Sequence, residues 1–181
     1  MPEIKRLNRE LVSKGSIIDY YHDVIELPDG KKVVYDLVDH KGAAAIVPVL
    51  DDGRIIMVRQ YRNALDRYTL EIPAGGLNGR DEPTLDAARR ELQEETGYSS
   101  DDLELLLSIK TTVAFCNEKI DIYVARNLKP GDQHLDEDEY VEYEAWDVND
   151  LLTKIYDLEI QDSKTISAIM AYYIRYICKN D

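Results

Sequence analysis

Cysteine is scarce in this chain of 181 residues, with Cys116 and Cys178 its two thiols. Two are too few for the disulfide framework of a small secreted domain, so a reducing, cytoplasmic setting is expected. Long apolar runs are missing too. No stretch reaches the length of a membrane span, and Met1-Pro2-Glu3 does not begin like a signal peptide. Histidine is limited to His22, His40 and His134, which are scattered and suggest no imidazole metal cluster. Cations are outnumbered, 22 Lys and Arg against 36 Asp and Glu, for a net charge of −14. That balance argues against a large polyanion such as duplex nucleic acid as partner. A small phosphorylated substrate stays compatible, because bound metal and a few arginines reverse the field locally. There is no internal repeat, and the acidic run Asp136-Glu137-Asp138-Glu139 reads by default as a solvated face.

What is present is enough for one domain with a substantial core. Residues 1–16 carry Lys5, Arg6, Arg9 and Lys14 and show no periodic signal. Runs 17–27 and 31–39 are rich in β-formers and flank Pro28-Asp29-Gly30, which predicts a hairpin that must pack on something. Residues 43–50 are apolar on both faces and predict a central strand, weakened at Pro48. Asp51-Asp52-Gly53 would turn it into a second hairpin with 54–60. Further strands are predicted at 68–72, 103–109, 119–125 and 140–148. In 119–125, Ile120, Ile122 and Val124 would point inward against Asp121 and Tyr123. Helices follow near 149–156 and 163–178, the last with Ile166, Ile169, Met170, Tyr173 and Ile177 on one face. Strands interrupted by one helix and closed by another predict a mixed sheet with helices on both faces, an α/β (α+β) fold.

The stretch that organises the rest is GLNGRDEPTLDAARRELQEETGY, Gly76 to Tyr98. A glycine-rich loop leads into a helix bounded by Pro83 and Gly97. Leu85, Ala88 and Leu92 form its apolar stripe. Glu91, Glu94 and Glu95 fall on a neighbouring stripe, with Glu91 and Glu95 one turn apart. Arg90 can pair with Glu94 at i,i+4, but no cation stands at helical spacing from Glu91 or Glu95. A hard divalent cation would remove the repulsion.

The spacing Gly76-x5-Glu82-x7-Arg90-Glu91-Leu92-x-Glu94-Glu95-x-Gly97 resembles the signature box of the Nudix hydrolases, with aromatic Tyr98 in the final hydrophobic position. The resemblance implies an α/β/α sandwich and metal-dependent hydrolysis of a nucleoside diphosphate linked to another group. It implies Mg2+, or Mn2+ in its place, held by Glu91 and Glu95 with Glu94 as third ligand and a backbone carbonyl from Ala74 or Gly75. Arg90 would orient the carboxylates, and Glu82 would act more distantly. Similarity to the ADP-ribose pyrophosphatase branch extends over most of the chain, through Glu26-Leu27-Pro28-Asp29-Gly30, His40-Lys41-Gly42-Ala43, Gln60-Tyr61-Arg62 and Asp162-Ser163-Lys164-Thr165. That branch implies an N-terminal β segment (1–41) used for homodimerisation, followed by a hydrolase domain (42–181). It also implies a nucleoside diphosphate sugar as substrate.

Outside the box, Arg62 matches the branch's substrate arginine, while Arg59 suits either a diphosphate or a surface ion pair. Glu71, in Glu71-Ile72-Pro73-Ala74-Gly75, resembles a segment near the substrate or metal shell. Glu118 sits where the branch has a loop glutamate serving as general base or extra metal ligand. Cys116 is read as a bystander. Two departures bear on the substrate: Tyr35-Asp36 stands where relatives have Arg-Glu, and Thr112-Val113-Ala114 where they have Ser-Pro-Gly. ADP-ribose, cleaved to AMP and ribose 5-phosphate, is the leading expectation. GDP-mannose or another nucleotide sugar is the alternative, and a non-catalytic sensor is the rival of another class.

Overall fold

The computed structural model describes residues 2–135 and 140–178, so the acidic run at 136–139 lies outside the described residues. Two compact units make up the chain: Met1–Gly42 with Lys110–Lys119, and Ala43–Ile109 with Ile120–Asp181.

In the first unit β1 (Lys5–Lys14), β2 (Ile18–Glu26) and β3 (Lys32–His40) form an antiparallel sheet in that order. The expected hairpin is β2–β3, closed where Leu27 N donates to Lys31 O at 2.8 Å and Asp29 Oδ1 accepts from Lys31 N at 3.0 Å. The N-terminal segment is therefore a three-stranded sheet rather than a hairpin. β1 escapes a periodicity reading for physical reasons. It is exposed at every position, and irregularities between Arg6 and Asn8 and between Leu11 and Ser13 break its alternation. Arg9 locks β1 to β2 through a fork on Asp23, Nε to Oδ1 at 2.7 Å and Nη2 to Oδ2 at 2.6 Å. Residues 110–119 join this unit through Val38 N donating to Phe115 O at 2.7 Å and His40 N donating to Asn117 Oδ1 at 2.8 Å.

The second unit begins with β4 (Ala43–Pro48), followed by β5 (Ile55–Arg62), β6 (Arg67–Glu71) and β7 (Ala74–Gly76). Helix α1 (Thr84–Thr96) comes next, then β8 (Tyr98–Ser99), β9 (Asp102–Lys110), β10 (Lys119–Arg126), β11 (Lys129–Pro130) and β12 (Val141–Trp146). α2 (Val148–Tyr156) and α3 (Ser163–Tyr172) close the chain. One sheet runs β7-β4-β10-β9 with β4 and β10 parallel, a second runs β12-β5-β6, and β8 pairs with β11. The mixed sheet and its flanking helices match the expected architecture.

β4 and β10 explain the layers. Ala43, Ala45 and Val47 with Ile120, Ile122 and Val124 pack into the cluster that holds Leu151 of α2 and Ala168, Ile169 and Tyr172 of α3. Ala44, Ile46, Tyr123 and Ala125 face Ala87, Ala88 and Leu92 of α1. Both strands are buried on both faces, as a continuous apolar run requires. Asp121 and Tyr123 are thus buried rather than outward, and Thr84 at the start of α1 bonds both, Oγ1 to Asp121 Oδ2 at 2.9 Å and to Tyr123 OH at 2.8 Å.

Two further expectations change. The turn at Asp51-Asp52-Gly53 forms, with Leu50 N donating to Arg54 O at 2.9 Å, but beyond a bridge at Val49–Ile55 the strands part into different sheets. β4 already has β7 and β10 on its two edges, which leaves β5 no edge to join. The last helix ends at Tyr172 and continues as a π-type turn, Tyr173–Ile177. The register shift leaves Ile177 exposed, and the buried face of α3 is Lys164, Thr165, Ala168, Ile169 and Tyr172. Among the described residues no helix is long and apolar enough to cross a membrane.

α1 stops at Gly97, whose φ of 73° suits glycine, and an added Cβ there would meet Gly131 O at 2.8 Å and Gln133 N at 2.9 Å. Gly97→Ala is expected to destabilise the protein by about 1–3 kcal/mol. The urea midpoint measures this, and an unchanged midpoint would show that the 131–133 backbone yields freely.

Candidate active site

The carboxylate helix and the glycine loop meet closely at Gly75. β7 pairs with β4, Ala44 opposite Gly75 and Ala45 opposite Ala74, which lays the loop backbone across α1. A Cβ on Gly75 would lie 2.0 Å from Glu91 Oε1, so the Glu91 carboxylate occupies the space a side chain would take and would have to shift for a larger residue. Ala74 N donates to Glu95 Oε2 at 2.9 Å. Glu91 and Glu95 are 8% and 3% exposed, burial that is costly for carboxylates unless partners or cations offset it.

Arg90 gathers the remaining acids. Nη1 donates to Glu91 Oε1 at 2.5 Å and to Glu94 Oε2 at 2.9 Å, Nη2 donates to Gly76 O at 3.0 Å, and Nε lies 3.4 Å from Glu82 Oε1. Partial burial works against its charge, but Glu91 and Glu94 outweigh that and raise the guanidinium's pKa. The Arg90–Glu91 contact is a pairing of sequence neighbours that helical spacing rules do not anticipate. Glu82 also accepts from Asn78 N at 2.5 Å, so it braces the loop onto Arg90. At the far end of α1, Gln133 Nε2 donates to Glu95 O at 2.6 Å and His134 N to Glu94 O at 3.1 Å, covering terminal carbonyls.

Arg62 and Glu71 come together on β5 and β6. Arg62 forks onto Glu71, Nε to Oε1 at 2.8 Å and Nη2 to Oε2 at 2.5 Å, and Thr69 Oγ1 adds a bond to Oε1 at 2.6 Å. Lys164 Nζ donates to Oε2 as well. Burial pushes the Glu71 carboxyl up, yet Arg62 and Lys164 prevail and hold it at about 2. Glu71, Asp162 and Glu95 raise Arg62 in turn, which places Arg62 in the field of the carboxylate helix. Arg59 goes elsewhere: with Tyr68, Leu135, Tyr140, Val141 and Glu142 it lines a cavity of about 490 Å³.

Glu118 belongs to the first unit. There it accepts from Thr111 Oγ1 at 2.8 Å and lies 3.4 Å from His40 Nδ1. The turn before it closes without proline or glycine, Cys116 N donating to Thr112 O at 2.9 Å. Sequence reasoning missed Lys164, Thr165 and Gln133. A helix-capping aspartate, Asp162, with lysine and threonine two and three residues on was the available signal for the first two.

The donor set suits a hard divalent cation: two buried carboxylates on one helical face, a third beside them, and backbone that a Cβ would obstruct. Among the described residues no three such side chains converge at ligand distance, because Glu91 and Glu94 turn onto Arg90.

A glycine loop laid over a carboxylate helix, carried by a sheet with helices on both sides, defines a Nudix-type hydrolase. The family described as NUDIX domain matches residues 39–169. The ADP-ribose pyrophosphatase of Bacillus subtilis (strain 168) is 38% identical, over 97% of this chain and 92% of its own. The methanol dehydrogenase activator of Bacillus methanolicus is 36% identical, over 98% and 97%. A solved structure described as that of an ADP compounds hydrolase superposes with a TM-score of 0.83 at 25% identity, covering 95% of this chain and 93% of that one. The chain belongs to the NUDIX family and is a Nudix hydrolase, a class that needs divalent cations.

Glu71 also gives the protein an acid-sensitive joint. Its carboxyl is held at about 2, below the ordinary 4.5, so its contribution is complete above pH 4.5 and vanishes as pH falls through 2. Wild type should lose roughly 3 kcal/mol more than Glu71→Gln across that window. Denaturant titrations at stepped pH measure it, and parallel losses in the two proteins would assign the joint to another group.

Proposed function

We propose that this hydrolase cleaves the diphosphate of ADP-ribose to give AMP and ribose 5-phosphate, with Mg2+ as its metal and Mn2+ able to replace it. The observation that carries the reading is the burial of Glu91 and Glu95 against the Ala74-Gly75 backbone. Glu91, Glu95 and Glu94, with the Ala74 carbonyl, would hold the metal. When bound, the metal neutralises charge developing on the phosphoryl oxygens and activates the attacking water. Arg90 keeps the carboxylates apart and aimed, and the loop braced by Glu82 fixes where Gly76 lies. Arg62 receives the diphosphate through the guanidinium edge that Glu71 leaves open, and Arg59 adds positive charge at the cavity it lines. Glu118 takes the proton of the attacking water or adds a ligand, by the resemblance of its loop. Relatives described as ADP-ribose pyrophosphatases support this substrate.

Tyr35-Asp36 and Thr112-Val113-Ala114 favour a second reading, another nucleotide sugar such as GDP-mannose. A panel of ADP-ribose, GDP-mannose, other nucleotide sugars and nucleoside triphosphates, each with Mg2+, separates the readings by product chromatography. AMP with ribose 5-phosphate supports the first, and cleavage of a different sugar nucleotide alone moves the substrate. Binding without turnover would mean a sensor. Glu95→Gln is expected to lower turnover on the order of 1000-fold with the thermal midpoint preserved. Wild-type rates in that variant would remove Glu95 from the metal site.

The N-terminal segment (1–41) is proposed as a homodimerisation element beside the hydrolase domain (42–181). Leu7, Leu11, Val12, Val34 and Tyr35 on its sheet are 40–60% exposed, a surface that a second copy would cover. Light scattering after size exclusion is expected to give twice the chain mass; a monomer would refute the assignment. No nucleic acid or membrane partner is proposed, and the two free thiols fit a cytoplasmic setting.

A further inference from the structure

Lys164 lies in the first turn of α3 with 7% of its surface exposed. An ammonium buried to that degree must be paired and hydrogen-bonded to be tolerated. Its Nζ donates to Glu71 Oε2 and, at 3.0 Å, to Asp162 Oδ2. Asp162 is fixed in turn as the helix cap, accepting from Thr165 N at 2.9 Å and Thr165 Oγ1 at 2.6 Å. Thr165 Oγ1 then accepts from Ile72 N at 3.1 Å, so the start of α3 is tied to the end of β6 and the residue after it.

Joining a helix to a strand does not require buried charge. The Thr165–Ile72 bond and the packing of Ala168 and Ile169 already accomplish it. What the charge adds is seen at Glu71, where each carboxylate oxygen has two donors. Oε1 takes Arg62 Nε and Thr69 Oγ1, and Oε2 takes Arg62 Nη2 and Lys164 Nζ. With Arg62 alone, the pair could rock together about the arginine stem. Thr69 holds the carboxylate from Glu71's own strand and Lys164 holds it from α3, so the guanidinium plane is fixed as well. Arg62, Lys164, Glu71 and Asp162 together carry no net charge. The Arg62 side chain remains 38% exposed, and its Nη1 donates to no described residue.

We propose that Lys164 is a positioning residue for substrate binding: through Glu71 it holds the Arg62 guanidinium so that its Nη1 edge faces the substrate's diphosphate oxygens. This rests on the reading of Arg62 as a diphosphate ligand. Lys164 touches no substrate itself, and its effect passes through Glu71 to Arg62.

A double-mutant cycle of Lys164→Met and Arg62→Ala tests it, with the nucleotide sugar the enzyme turns over fastest and a thermal midpoint for each protein. Lys164→Met alone is expected to lower kcat/KM between about 10-fold and 100-fold, chiefly through KM. In the Arg62→Ala background it should add nothing. Equal losses in both backgrounds would overturn the proposal while leaving Arg62 as ligand. A wild-type kcat/KM in Arg62→Ala would instead overturn the reading of Arg62. Should Lys164→Met not fold, Lys164→Gln keeps a donor and loses the charge. The Arg62 Nε–H resonance, assigned by its loss in Arg62→Ala, is expected to be sharp in wild type and exchange-broadened in Lys164→Gln. An unchanged resonance would overturn the proposal.

Discussion

Two carboxylates buried on one face of a helix are the constraint around which this structure is arranged. Glu91 and Glu95 lie on the C-terminal half of α1, where the helix dipole is negative and disfavours anions. Burial and like charge add to that cost. The fold meets it with a few specific contacts. Arg90 bridges Glu91 and Glu94, the Ala74 amide reaches Glu95, and Gly75 leaves room for the Glu91 carboxylate. A divalent cation would supply the positive charge these contacts do not.

From that constraint the course of residues 71–76 follows. The segment is held at Glu71 by Arg62 and Lys164, at Ile72 by Thr165, at Ala74 by Glu95 and at Gly76 by Arg90. Pro73 offers its carbonyl to Ile46 N at 2.9 Å, adding a hold from the central strand. Six residues thus connect the arginine side of the site to the carboxylate side, with contacts from β4, β5, α1 and α3.

Much of this was legible in the sequence because it rests on local signals. Pro83, Gly97 and the Leu85-Ala88-Leu92 stripe define α1 by capping and periodicity, and the unbroken apolar run at 43–48 marks a strand buried on both faces. What was not legible depends on contacts distant in sequence or on broken patterns. β1 has an irregular register and no buried side, so alternation gives no sign of it. The parting of β4 from β5 is decided by β7 and β10 occupying both edges of β4, which the turn sequence cannot reveal. Lys164 lies 93 positions from Glu71, and a lysine near a helix start reads as solvent-facing until its partner is known.

The acids of this site are sorted by their partners more than by their residue type. Glu71 is surrounded by two cations and a hydroxyl, with both oxygens committed, which fixes it as an anion and as a clamp on Arg62. Glu82 divides its oxygens between a backbone amide and Arg90, a brace for the loop. Glu91 and Glu94 share a single arginine nitrogen, so neither holds Arg90 alone and either can turn to a stronger cation. Glu95 accepts from the Ala74 amide at 2.9 Å and lies in the field of Arg62. Glu91 and Glu95 share one buried helical face, where burial and like charge together favour a nearby cation. The same residue type thereby serves as clamp at Glu71 and as brace at Glu82, the role set by the partners the fold has placed beside it.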